Sequence, residues 1–301
     1  MMLLMNLGSL KKLIFCHTEM CEETFGQFIC GCPSLQELHI VEPCFYPNNM
    51  CFSAPNILKL SLVLVVEDSS YDPWLLDFPN LKTLDLEIDQ IPDVIDVSSV
   101  QDVYLKNLFI MDNENELRRF NIFLEKFSRS EVFELSCNAS EPFLHSIDDS
   151  RLLQIRWKCV VLRLRIFCQS CLLGIYQLMR SSKHLEELTI YTTSELTYES
   201  VCNTPSLFSG RALKDTVDLP PVEISNPCVM PKLKTFTLHG YAKPWKHQLQ
   251  LIEFFLKSAT VLEKLVIVLN KRQSTAVEKL NFVMHVSTFQ RSSPSARVFF
   301  L

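Results

Sequence analysis

Apolar residues recur along this chain in one short frame, and polar residues fill the gaps. In "CPSLQELHI" the apolar positions are Leu35, Leu38 and Ile40; "FPNLKTLDL", "HLEELTI" and "MPKLKTFTL" repeat the spacing. Positions 4 and 6 of the frame alternate as in a half-buried strand. Position 1 stands three residues earlier, so the chain must turn as it begins the strand. The frame fits Leu10/Leu13/Phe15, Leu35/Leu38/Ile40, Ile57/Leu60/Leu62, Leu81/Leu84/Leu86 and Leu105/Leu108/Ile110. It continues through Val132/Leu135/Cys137, Val161/Leu164/Ile166, Leu185/Leu188/Ile190, Leu233/Phe236/Leu238 and Leu262/Leu265/Ile267. Position 1 steps by 22 to 29 residues, with a single step of 48.

One such unit cannot bury its apolar side alone, whereas stacked units can, and units of about 20 to 29 residues are the signature of a leucine-rich repeat. The expected fold is α/β: an irregular leucine-rich-repeat solenoid, with a mainly parallel sheet on one side and helices or loops on the other. Helical spacing supports the second layer. Leu117, Phe120, Leu124 and Phe127 share one helical face, as do Leu172, Ile175 and Met179, and again Ile252, Phe255 and Ala259. Pro33, Pro55, Pro79 and Pro231 each stand two residues before position 1, where a missing N–H costs no ladder bond. The turn ladder of an ideal unit, Asn or Cys three residues after position 6, is met only by Asn113 and Asn270; Pro43, Val65, Asp89, Ser140 and Thr193 stand there in other units. The expected division is a repeat array at 1–195, an irregular Ser/Thr/Pro-rich insertion or linker at 196–229, and a C-terminal repeat and cap at 230–301.

Composition narrows the class further. The 301 residues are 48% hydrophobic and 21% charged, which is globular composition. With 29 basic and 34 acidic residues the formal net charge is −5, giving no strong nucleic-acid signal. Twelve scattered cysteines read as small buried thiols in a reducing compartment. "CGC" at 30–32 and "CQSC" at 168–171 lack the second pair or ordered histidines that a zinc site needs. The apolar start "MMLLMNLGSLKKLIF" places its lysines after the apolar run and runs into the frame, so it reads as fold rather than signal peptide. No apolar run reaches the length of about 20 residues that a membrane span needs, so no membrane association is expected.

No histidine lies in an "HExxH" spacing, and no "GxSxG" elbow or phosphate-binding glycine loop occurs. Glu87, Asp89, Asp93 and Asp96 cluster without the tight glycine-bearing loop that calcium needs. His39 and His239 read as polar positions beside strands. The expectation is a non-enzymatic protein with no cofactor and no metal.

The C-terminal third carries more specific strings: "LKTFTLHGY" at 233–241, "FFLKSATVLEKLVI" at 254–267 and "FQRSSPSARVFF" at 289–300. In order and spacing these resemble the C-terminal FBD domain of plant F-box/leucine-rich-repeat proteins, and the upstream frames look like the repeats of that family. The resemblance implies a substrate-recognition arm of an F-box-type ubiquitin ligase receptor. The family's F-box runs for about 40 residues before the repeats, whereas here Leu10 already belongs to a frame. Binding of the cullin-ligase adaptor by this chain is therefore not expected. The alternative is a free structural or regulatory binding protein that associates with related chains through its FBD-like end.

Positions 2, 3 and 5 of each frame should point away from the core and align in columns about 4.8 Å apart. The candidate interaction surface is Gln36, Glu37 and His39, then Lys59 and Ser61 with Asn56 just ahead, then Lys82, Thr83 and Asp85, and later Glu186, Glu187 and Thr189. Its expected partner is a protein or peptide, and the expected location is intracellular, in nucleus or cytoplasm. The closing "RVFF" should turn Val298 and Phe300 inward and Phe299 outward.

Overall fold

The computed structural model describes residues 7–17, 22–41, 51–54, 56–64, 75–88, 94–96, 98–108, 114–137, 155–164, 169–192, 230–240, 245–269 and 275–301. Eleven strands form one sheet: β1 (Lys12–Cys16), β2 (Glu37–Val41), β4 (Lys59–Leu64), β6 (Thr83–Ile88), β8 (Asp102–Leu108), β9 (Val132–Cys137), β10 (Cys159–Leu164), β11 (Glu187–Thr192), β12 (Thr235–His239), β13 (Lys264–Val268) and β14 (Arg297–Phe300). They lie side by side in chain order, and every neighbouring pair is parallel. This is an irregular α/β, solenoid-like arrangement: each unit adds one strand and returns on the other side. The return is a helix in α1 (Glu22–Cys30), α2 (Glu114–Lys126), α3 (Gln169–Ser181), α4 (Lys246–Ser258) and α5 (Ala276–Ser287). Between β2 and β8 it is instead a short strand: β3 (Cys51–Ser53), β5 (Leu75–Asp77) and β7 (Val94–Asp96) make a second parallel sheet. Those return strands, α1, and α5 as a complete helix were not foreseen from the sequence.

The frame has a concrete geometry. Each strand of the large sheet begins at position 3, and the carbonyl at position 2 of the preceding unit accepts two backbone N–H groups. Gln36 O takes Leu58 N at 2.8 Å and Lys59 N at 3.0 Å; Leu58, Lys82, Gln101, Glu131, Lys158, Glu186 and Lys234 repeat the arrangement. One carbonyl with two lone pairs thus satisfies the donors where the strand starts. A turn precedes it. Leu35 N donates to Cys32 O and Leu81 N to Phe78 O, which puts Pro33 and Pro79 second in four-residue turns, where the fixed proline φ is favourable. The first residue of the turn is buried in most units (Cys32, Ala54, Phe78, Phe127, Ser182) and partly buried at Leu7, adding a core column to those at positions 1, 4 and 6.

Leu38, Leu60, Leu84, Leu188 and Leu265 are all at most 1% exposed, on one continuous side of the sheet. Leu108, expected with them, has a side chain outside the described residues. Three frames need correction. Val103 pairs with Leu84 and Leu105 with Leu86, so the unit is Val100/Val103/Leu105, and Leu105 is position 6 instead of position 1. The next two units are Ser130/Phe133/Leu135 and Trp157/Val160/Leu162. Their position 1 residues explain the misplacement, because a serine and a tryptophan replace the expected aliphatic pair. Trp157 stacks on Phe133 with centroids 4.1 Å apart and planes 5° from parallel, and its Nε1 donates to Phe127 O at 2.8 Å. Ser130 Oγ donates to the same oxygen at 2.8 Å. A large ring beside a small hydroxyl fills the layer, and both polar groups are satisfied.

The helical stripes bury Phe120, Leu124 and Phe127, then Leu172, Ile175 and Met179, then Ile252, Phe255 and Ala259; Phe123 and Phe254 add to them. Leu117's side chain lies outside the described residues, as do the turn positions Pro43, Val65, Asp89, Asn113, Ser140, Thr193 and Asn270, and the acidic Asp93. The sheet continues from β11 to β12 with Glu187 opposite Thr235, although residues 193–229 between them are outside the described set. At the C-terminal end Val298 pairs with Leu265 and Phe300 with Ile267; both are half-buried against the core, and Phe299 is exposed.

Candidate functional site

Because positions 4 and 6 face the core, positions 3, 5 and 7 line the other face of the eleven-stranded sheet. Strand pairing sets them in register. Position 3 runs Lys12, Glu37, Lys59, Thr83, Asp102 on the first five strands, and position 5 runs His39, Ser61, Asp85, Tyr104, Glu134 from β2 to β9. The structure divides the expected surface residues between two places. Glu37, His39, Lys59, Ser61, Thr83, Asp85, Glu187 and Thr189 lie on this open face. Gln36, Asn56 and Lys82 lie at the rim where the strands start, lining a cavity of about 560 Å³ with Lys11, Ser34 and Gln101. Glu186, also at position 2, belongs to the same rim three strands further along.

The open-face residues form two separate groups. On β2 to β6, Glu37 lies 3.5 Å from Lys12, and His39 Nε2 is 3.7 Å from the Glu37 carboxylate. That separation is too long for a hydrogen bond, and the buried His39 Nε2 has no such partner. Asp85 pairs with Lys106 at 2.9 Å. Glu187 and Thr189 stand on β11, three strands beyond β8. Strands β9 to β12 carry residues left out of the expected surface, although His239 was read as a polar position beside a strand. Arg163 of β10 bonds the Glu134 carboxylate of β9 at 2.6 Å, and its guanidinium lies 4.2 Å from the ring centroid of Tyr191 on β11. Tyr191 in turn stacks on His239 of β12 with centroids 4.3 Å apart and an interplanar angle of 12°. Strand alternation held the signal that each of these residues points outward, but only the strand pairing shows that they meet.

Carboxylate, guanidinium, phenol and imidazole thus form one row across four strands. Cation–π contact and stacking hold the flat groups side by side. Burial, and after it the Arg163 charge, push the His239 pKa below the ordinary histidine value. Beside the row, burial chiefly raises the Tyr104 pKa, helped by Asp102, Glu134, Cys159 and Asp85. The row presents flat, preordered rings and hydrogen-bonding groups to whatever lies across the strands. It lacks the nucleophile–base pairing that covalent catalysis uses. Among the described residues no group of three or more His, Cys, Asp or Glu is placed to hold a metal ion. Cys30 and Cys32 are free thiols, one exposed and one buried, and burial raises the Cys32 pKa, opposite to what a thiolate ligand needs. Among the described residues no helix is long and apolar enough to cross a membrane.

Residues 226–267 match the FBD family. Over 271 residues the chain is 24% identical to a probable F-box protein of Arabidopsis thaliana, covering 87% of this chain and 80% of that relative. The family match and the relative support a general F-box/leucine-rich-repeat-like affinity, and with the geometry of the site they support a protein-interaction role.

Proposed function

We propose that this protein is a non-enzymatic interaction module that holds an extended segment of a partner protein across the open face of its sheet, in the manner of the substrate-recognition arm of an F-box-type ubiquitin ligase receptor. The row Glu134–Arg163–Tyr191–His239 carries the reading: it offers rigid rings and directed polar groups in register across β9 to β12. The FBD match and the F-box relative support the ligase-arm part. The division into array, insertion and C-terminal unit, and an intracellular site of action, belong to the same proposal. The test is selection of peptides from a displayed random library on the 301-residue chain, followed by re-measurement on Arg163→Ala/Tyr191→Ala. Loss of about tenfold or more in affinity is expected, since aromatic and Arg anchors carry such energies; selected peptides that bind the double variant unchanged overturn the reading. Purified cullin adaptor is expected not to be retained by the same chain, and submicromolar retention would mean that another of its segments supplies that contact.

A second reading, association of related chains through the C-terminal unit, is favoured by α5. Val277, Leu280 and Met284 form a stripe on its outer face and are 66%, 58% and 60% exposed. Sedimentation of the chain across about 1–50 µM tests it. A monomer at every concentration removes this reading and leaves the first intact.

A further inference from the structure

The rim where the strands start changes character along the sheet, and its second half holds a row of cations that form no salt bridge among the described residues. Two columns run along it. The inner one, position 2, alternates in sign and neutralises itself: Glu131 pairs with Lys158 at 3.0 Å, and Glu186 with Lys234 at 2.9 Å. The outer column, one residue before position 1, holds Arg129, Arg156, His184 and Lys232 on the units of β9 to β12, with Lys183 beside His184. It contains no carboxylate there, nor in its earlier members Ser34, Asn56, Asn80 and Ser99. Arg129, Arg156, Lys183 and Lys232 are all exposed. Lys232 Nζ lies 3.1 Å from His184 Nδ1, which accepts because an ammonium only donates, so that contact supplies no counter-charge. The local field reaches the inner column as well. The Glu186 carboxyl is held below its ordinary value by the hydrogen bond and charge of Lys234, with Lys158 and Lys232 adding to them.

We infer that this outer row, from Arg129 to Lys232, is a docking strip for an acidic, extended segment of a partner protein. Charge complementarity selects the occupant: three cations in line with Lys183 beside them, in a chain whose formal net charge is −5, have no acidic member in their own column. Spacing selects its form. Four strands span about 14 Å at about 4.8 Å per strand, and an extended segment repeats side chains on one side about every 7 Å. Two or three carboxylates at alternate positions therefore reach the whole strip. Arg supplies planar two-point donors for carboxylate, which favours ordered pairing over diffuse attraction. The strip is separate from the open-face row, and the inference does not rest on that row.

The test uses the 301-residue chain and a fluorescein-labelled decapeptide alternating Glu and Ser, followed by anisotropy at about 50 mM salt. Arg129→Glu/Arg156→Glu is expected to weaken binding at least tenfold, and Arg129→Lys/Arg156→Lys to recover most of it. Lys246→Glu/Lys279→Glu, an equal charge change on α4 and α5, is expected to move affinity less than twofold. Circular dichroism establishes that each variant folds, and the charge-neutral Arg129→Gln/Arg156→Gln gives the same direction of change should the reversal not fold. The inference is overturned if the wild-type chain does not bind the peptide, or if the helix variant loses as much as the rim variant. Tighter binding of a 20-base-pair DNA duplex than of the peptide also overturns it, since the strip would then be a phosphate-backbone surface.

Discussion

The units between β2 and β8 and those from β8 onward solve the same problem with different returns. From Leu35 to Ile57, Leu81 and Val100, position 1 advances by 22, 24 and 19 residues, and the chain returns as three-residue strands. From Ser130 to Trp157 and Leu185 it advances by 27 and 28, and from Leu233 to Leu262 by 29; helices α3 and α4, 13 residues each, make the return in two of these steps. A strand covers about 3.3 Å per residue and a helix about 1.5 Å, so the shorter steps favour an extended return, while the 25-residue step from Leu10 to Leu35 still holds the short helix α1. The fillings differ too. Of the largest fully buried rings among the described residues, Phe120, Phe123, Phe127, Phe133, Trp157, Phe236, Phe255 and Phe282 belong to the part from α2 onward, against Phe78 in the strand-return units and Phe25 in α1. Longer steps carry the 13-residue helices, and the helical returns bring rings such as Phe120, Phe123 and Phe255 into the layer behind the sheet.

The sharpest way to break this contrast is to remove one large residue from each part. Trp157→Ala is expected to cost about 3–5 kcal/mol and Leu84→Ala about 2–5 kcal/mol, because both are completely buried. In a stacked array each loss should stay near its own unit. Hydrogen exchange should therefore quicken in β9 to β11 for Trp157→Ala and in β4 to β8 for Leu84→Ala. Uniform quickening over the whole sheet in both variants would mean that the two parts unfold as one.

Gly240→Ala probes a joint within the helical part. Gly240 has φ +89°, and a Cβ there would sit 1.8 Å from Thr192 O. Gly240 O also accepts from Thr192 Oγ1 at 3.1 Å and from the buried Gln248 Nε2 at 3.3 Å, tying the ends of β11 and β12 to α4. A loss of about 2–4 kcal/mol is expected from strain plus the displaced strand end, read by chemical denaturation. An unchanged midpoint would show that β11 and β12 can part there without cost.

A smaller effect is expected at the start of α5. Thr275 Oγ1 accepts from Glu278 N at 3.3 Å, and the Glu278 carboxylate accepts from Thr275 N at 2.9 Å, a reciprocal cap. Thr275→Ala should cost about 1 kcal/mol and fray α5 alone. Exchange that spreads to β13 would give the helix a larger share in holding the last units.

The smallest expected signal is the pH response of His239. Burial and Arg163 depress its folded pKa, so the unfolded chain binds the proton more readily. Stability should therefore fall as pH drops through about 6.5, the ordinary histidine value, and level off once the folded imidazole is also protonated. Nuclear magnetic resonance should place its midpoint below that value, and Arg163→Gln should raise it. No rise would assign the whole depression to burial.

The tail shows how far alternation alone reaches. "RVFF" in sequence already separates Val298 and Phe300 from Phe299, and the register with Leu265 and Ile267 agrees. At β8 the same reasoning failed, because Leu105 and Leu108 imitate positions 1 and 4 while Leu105 pairs at position 6. Two leucines three apart are ambiguous when the strand is long. Only pairing with Leu86 fixes which frame is used. The rim was partly legible, since Gln36, Lys82 and Glu186 were placed outside the core. The division of inner and outer columns needed the position 2 carbonyl bonds.

The sequence by itself determined the repeat, the parallel order and the inward leucines, because period-two alternation and a fixed unit length are local properties that stacking only copies. Tertiary structure alone decided the phase of β8 to β10, the strand returns of β3, β5 and β7, and the meeting of Glu134, Arg163, Tyr191 and His239. Each of these depends on which strand lies beside which. Trp157 can stand in for a leucine only because Ser130 leaves room next to it, and that is a fact about neighbours across about 4.8 Å of sheet, not about neighbours along the chain.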